Sequence, residues 1–148
     1  MSLLPIFLKL DGRRGLVVLA VAGDMVLLSV FAARERLEAE GFGVRIVALV
    51  NPRQLYRARD VAADTVAEPD LGFMGDKDFA RLFDGDRLVA ISGGPSGPLE
   101  PVLMRAKAPL RATLAWRRGD TTATPAGLLS LNGLDADTIV ARVLEMDE

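Results

Sequence analysis

A chain of 148 residues, half of them hydrophobic and 26% charged, has the length and composition of one globular domain that can bury its own core. A net charge of −2 and a sequence pI near 5.2 give no basic surface of the kind nucleic acid requires. Cysteine and histidine are both absent, which removes disulfides, thiolate metal sites, the commonest metal ligand and the usual general base.

Residues 1–15, MSLLPIFLKLDGRRG, lack the basic n-region and small-residue cleavage site of a signal peptide and read as an N-terminal extension or linker. The domain proper is expected over 16–148. No apolar run reaches the ~18 residues of a membrane span, because GLVVLAVAG and MVLLSVFAA are separated by Asp24. A cytoplasmic protein without membrane or nucleic-acid partners is the expectation. Arginine outnumbers lysine fifteen to three, a bias from which no function follows.

LVVLAVA (16–22) is a continuous apolar run of the kind found in a strand covered on both faces. Asp24 is placed to cap a helix in which Val26, Val30, Ala33 and Leu37 recur at helical spacing. Gly41 supplies a left-handed stop, and VRIVALV (44–50) is the next strand, ended by Asn51-Pro52. From Pro52 to Met74 the pattern is irregular, with weak helical periodicity in RQLYRARDVAAD and loop signals at Pro69 and Gly72. GDKDFARLFDGD (75–86) predicts a short amphipathic helix with Phe79, Leu82 and Phe83 on one face. RLVAIS (87–92) predicts a third strand, GGPSGP a loop, PLEPVLMRAKA a helix with Pro101 in its first turn, and LRATLAW (110–116) a fourth strand. DADTIVARVLEMDE closes the chain as an amphipathic helix capped by Asp135. Strands alternate with helices, so the fold class is α/β: a single three-layer domain with a mostly parallel sheet flanked by helices.

Four segments invite a chemical reading. VAGDMV carries one glycine where a dinucleotide fingerprint needs three, so Gly23-Asp24 reads as a turn with a helix cap. SGGPSGP joins a strand to a helix, and Gly93, Gly94 and Ser96 are either an anion-binding nest or a plain connection; Pro95 and Pro98 lack the N–H such a nest would use. Thr121, Thr122 and Thr124 could bond a sugar or phosphate, or lead a structural segment into Pro125. The acidic pairs Asp76/Asp78 and Asp135/Asp137 fall at helix starts, where the macrodipole favours them. Nothing assembles a nucleophile, a base and an orienting group, so no catalytic, cofactor-binding or metal-binding residue is assigned.

The wording of three stretches is more specific. VVLAVAGDMVLLSVFAARERLEAEGFGVRIVALV resembles the start of the C-terminal domain in the transketolase superfamily. DKDFARLFDGDRLVAIS resembles the phosphoketolase stretch D-x-D-F-x-x-L-F-T-x-D-x-P-V-x-F. GDTTATPAGLLSLNGLD resembles the phosphoketolase stretch E-G-T-T-T-T-P-F-D-M-x-x-L-N-x-L-D, which puts Thr121, Thr122, Thr124, Pro125, Leu131 and Asn132 in register with it. The resemblance runs from about Leu16 to Leu144.

It implies the C-terminal domain of an enzyme that cleaves xylulose 5-phosphate or fructose 6-phosphate with inorganic phosphate, giving acetyl phosphate. Thiamine diphosphate and a divalent metal are implied for the parent enzyme, held by the preceding thiamine-binding domains and not by this one, in a homo-oligomer. Departures are clear. Phosphoketolases have His-Gly-Tyr-Pro where this chain has Gly93-Gly94-Pro95-Ser96, and Phe-Asp-Met where it has Ala126-Gly127-Leu128. The role implied is therefore non-catalytic support of assembly and of the active-site surroundings, with a stand-alone binding or regulatory module on the same fold as the alternative.

Overall fold

A computed structural model describes residues 14–50, 55, 73–117 and 124–146. Its centre is a four-stranded sheet, β1 (Leu16–Ala22), β2 (Gly43–Ala48), β3 (Arg87–Ser92) and β4 (Leu110–Leu114), in the order β2-β1-β3-β4 with every pairing parallel. The helices are α1 (Leu27–Ala39), α2 (Asp76–Phe83), α3 (Glu100–Arg105), α4 (Pro125–Leu131) and α5 (Ala136–Glu145). Short 3-10 turns at Asp24–Val26 and Gly97–Leu99 lead into α1 and α3.

The period-two geometry of a strand divides β1 between two cores. Val17, Leu19 and Val21 face α1 and α5 in the larger cluster, while Val18 and Ala20 face α2 and α3 in the smaller. All five are essentially inaccessible to solvent, and Val89 and Ile91 against Leu88 repeat the division on β3. A strand apolar on both faces survives only between two helical layers, so the expected three-layer α/β domain is what forms. On α1 the residues buried against the sheet include Val30, Ala33 and Leu37, with Val26 buried in the preceding turn, as the spacing requires.

Local differences have local causes. The turn into α1 takes Gly23 as its N-cap and makes Asp24 its first residue, so Asp24 contributes charge near the helix start and no capping bond. β2 starts at Gly43 and ends at Ala48; Leu49 N–H still reaches Val21 O at 2.7 Å, but Val50 turns back to Ala48 O and is 89% exposed. β4 stops at Leu114 because Trp116 N–H is drawn to Gly94 O. The irregular stretch 56–72 and the extension up to residue 13 lie outside the described residues, as do Thr121 and Thr122.

α1 and α4 end the same way. Gly41 N–H donates to Glu38 O and Phe42 N–H to Leu37 O; Gly133 N–H donates to Ser130 O and Leu134 N–H to Leu129 O. These are paired Schellman bonds, each with a positive-φ glycine (97° and 70°) followed by a buried apolar residue.

Candidate functional site

In an open parallel sheet, ligands gather outside the carboxyl ends of the strands where the strand order reverses. Here that point lies between β1 and β3, bounded by Gly23-Asp24-Met25 and by Ser92 to Ser96. The two loops touch. Gly93 N–H donates to Ala22 O at 2.9 Å, which carries the β1–β3 ladder one step past the strands.

The Gly93-Gly94 loop is internally bonded. Gly94 N–H donates to Ser92 Oγ at 3.1 Å, and the same hydroxyl donates to Pro95 O at 2.8 Å. Ser92 is buried, so its hydroxyl is committed to shaping the loop. Gly94 O accepts Trp116 N–H, tying β3's exit to β4's, while Ser96 is exposed and its carbonyl accepts Leu99 N–H. Neither glycine N–H is left pointing at solvent, and the connection presents no cation.

Of the three threonines, Thr124 lies among the described residues, and it starts a helix. Thr124 is the N-cap of α4, its Oγ1 accepting Gly127 N–H at 3.1 Å, and Pro125 occupies the first turn. Asn132, at the far end of α4, is 2% exposed. Its Oδ1 accepts Arg117 N–H at 2.6 Å and its Nδ2 donates to Leu128 O at 2.9 Å. Asn132 thus joins the exit of β4 to α4, and with Thr124 it shares one helix. Gly93, Gly94 and Ser96 belong to a separate loop, linked to this one through Trp116.

Sequence reasoning passed over the arginines. Arg45, on β2, donates to Arg81 O and Leu82 O at the end of α2, and Arg111, on β4, donates to Leu103 O and Ala106 O at the end of α3. Arg87 reaches Met146 O after α5. Each planar fork satisfies carbonyls that a helix terminus leaves open, which a lysine point charge does less well. Arg105 donates to Leu55 O, Met74 O and Asp76 Oδ1, and its guanidinium lies over Phe79 at 4.4 Å. No motif announced these roles; those of Arg45, Arg87 and Arg111 need the strand register that sets each near a helix end, and that of Arg105 needs α3 packed beside α2.

Beside Arg105's partners lies an open cavity of ≈ 340 Å³, lined by Val47, Ala48, Leu49, Val50, Leu55, Met74, Leu82 and Phe83. Among the described residues its lining side chains are all apolar, and none of them is a polar group of the kind that orients a sugar phosphate. Among the described residues no three acidic side chains converge. No helix among them is long and apolar enough to cross a membrane.

No protein-family model and no curated protein matches the chain. Solved structures do. A split-gene transketolase, an inactive beta4 tetramer, superposes with a TM-score of 0.53 at 22% identity, covering 90% of this chain and 42% of that one. Transketolase from Campylobacter jejuni subsp. jejuni NCTC 11168 superposes with a TM-score of 0.57 at 15% identity, covering 87% of this chain and 16% of that one. The fold is transketolase-like. At these identities the likeness is one of architecture, and the chain spans less than half the length of either neighbour.

Proposed function

We propose that the chain is the non-catalytic C-terminal domain of a thiamine-diphosphate-dependent, phosphoketolase-like enzyme of sugar-phosphate metabolism. In this assignment the parent is a cytoplasmic, homo-oligomeric lyase, and the preceding thiamine-binding domains carry the cofactor, the divalent metal and the reacting sugar. This domain supports their assembly and shapes the surroundings of their active site.

The observation that carries the assignment is the shared fold: nearly the whole chain superposes on transketolases that are much longer than it is. Two features support it. Thr124 and Asn132, which fall in register with the phosphoketolase stretch, hold the β4–α4 corner by a cap and a buried amide. The loop after β3 spends the N–H groups of Gly93 and Gly94 within the protein. Both suit a domain that supplies a rigid frame.

Native mass spectrometry of the chain mixed with the source organism's thiamine-diphosphate-binding polypeptides tests the assignment. A complex with one of them is expected, together with no thermal shift of the isolated chain by millimolar xylulose 5-phosphate or phosphate. A shift with sugar phosphate and no complex would point instead to the stand-alone binding module, since a ligand of the native state raises the melting point.

A further inference from the structure

Asn132-Gly133 is the one Asn-Gly pair in the sequence. In an open chain such a pair is set up for intramolecular deamidation, because glycine places no side chain in the way of its own backbone nitrogen. The Gly133 nitrogen, giving its proton to base, attacks Asn132 Cγ; the new C–N bond closes a five-membered imide and Nδ2 leaves as ammonia. Water then opens the imide. Breaking the Cγ–N bond gives aspartate. Breaking the bond to the former backbone carbonyl gives isoaspartate, in which the chain runs through Cβ and Cγ.

The fold blocks each part of that reaction. Asn132 is 2% exposed, which keeps base and water away from its amide. Its Oδ1 accepts Arg117 N–H at 2.6 Å and its Nδ2 donates to Leu128 O at 2.9 Å, which fixes the side chain. The attacking nitrogen is engaged too, since Gly133 N–H donates to Ser130 O at 3.1 Å. Ring closure needs Cβ and the Gly133 nitrogen eclipsed about the Asn132 Cα–C bond. At the observed ψ of 0° the nitrogen of Asn132 itself takes that place, and Cβ stands off to the side.

We infer that Asn132 is a deamidation site held off by the corner it builds, and that its conversion opens that corner irreversibly. The reaction proceeds only through molecules in which the end of α4 has come away from β4. Its products cannot rebuild the closed form. Aspartate sets a second carboxylate oxygen against Leu128 O, where Nδ2 donated, and puts a charge in a site closed to water. Isoaspartate lengthens the backbone by one methylene just before the φ 70° turn at Gly133, which displaces the fully buried Leu134. The effect reaches the loop after β3. Arg117 follows Trp116, whose N–H holds Gly94 O at 3.0 Å, so loss of the Asn132 bond loosens the exit of β4 and the Gly94 loop together.

The full chain, kept in warm, mildly alkaline buffer beside a synthetic peptide of residues 126–138, tests this by peptide mapping with mass spectrometry. Conversion at Asn132 should be at least about a hundredfold slower in the folded chain than in the peptide, because it tracks the fraction of open molecules. Guanidinium chloride below the unfolding transition should speed it steadily, and above the transition the peptide's rate should be reached. Thr124→Ala leaves the Asn-Gly pair untouched but removes the cap at the other end of α4, and roughly fivefold faster conversion is expected. The deamidated chain, separated by ion exchange, should melt below the unmodified one, with faster amide exchange at Trp116. Conversion at the peptide's rate overturns the inference, as does a slow rate indifferent to both denaturant and Thr124→Ala. A deamidated chain with unchanged melting and exchange overturns the irreversible opening. Should Thr124→Ala fail to fold, the denaturant series on the unaltered sequence decides alone.

Discussion

Asn132 accepts the backbone N–H of Arg117 at 2.6 Å, so the residue that closes α4 also fixes the point where the chain leaves β4. Its amide is almost inaccessible to solvent, and its own N–H group is taken by Leu128 O. Replacing it by alanine removes both side-chain bonds and leaves the Arg117 N–H without its partner, while Leu128 O keeps the backbone N–H of residue 132, a loss of about 2 kcal/mol. Thermal unfolding should show a fall in Tm of roughly 5–8 °C for Asn132→Ala. An unchanged Tm would mean the amide contributes nothing to the corner.

Gly133 gives a sharper test of backbone conformation. Its φ is 70°, and a Cβ built on it meets Thr138 Cγ2 at 3.5 Å, an ordinary contact. The cost of Gly133→Ala is then conformational, about 1 kcal/mol, and Gly133→Asn should recover part of it because asparagine tolerates the left-handed region. Urea unfolding midpoints in the order Gly, Asn, Ala are expected; equal losses for both variants would point to a steric cause.

Arg105 makes three hydrogen bonds and lies over Phe79, with its side chain only 17% exposed. Arg105→Ala should destabilise by about 2–3 kcal/mol, since buried carbonyls lose a charged donor. Arg105→Lys should recover less than half of that, because an ammonium cannot reproduce the fork and the stacking together. Full rescue by lysine, read from chemical denaturation, would show that charge alone matters.

Arg45 and Arg111 cap different helices from opposite edges of the sheet. Alanine at either should cost about 1 kcal/mol, and the double variant should lose the sum within about 0.5 kcal/mol, because the sites share no partner. A marked departure from additivity in denaturation midpoints would indicate a longer-range coupling across the sheet.

How far the sequence disclosed the fold varies along the chain for physical reasons. β1 and β3 were legible because strands buried on both faces need unbroken apolar runs. The ends of β2 and β4 were not. Leu49, Val50, Ala115 and Trp116 have strand composition, but the chain turns off the sheet to satisfy Ala48 O and Gly94 O, which depends on tertiary neighbours. α4 was missed although its signals were present: Thr124-Pro125 is a cap followed by a first-turn proline, and Asn132-Gly133-Leu134 is a helix stop. Gly127 and the preceding threonines drew attention to turn chemistry. At the candidate site, the residue types were visible but their engagement was not, because no pattern shows that Ser92 and Ala22 consume the donors of Gly94 and Gly93.

The most direct test of the account is a reconstituted assay of acetyl phosphate formation from xylulose 5-phosphate and inorganic phosphate, dependent on thiamine diphosphate. The isolated 148-residue chain should give none, and adding it to the source organism's thiamine-binding polypeptide should raise that polypeptide's rate at least tenfold. Turnover by the chain alone, or a partner whose rate is the same with and without it, would contradict the proposal that this domain frames machinery carried elsewhere.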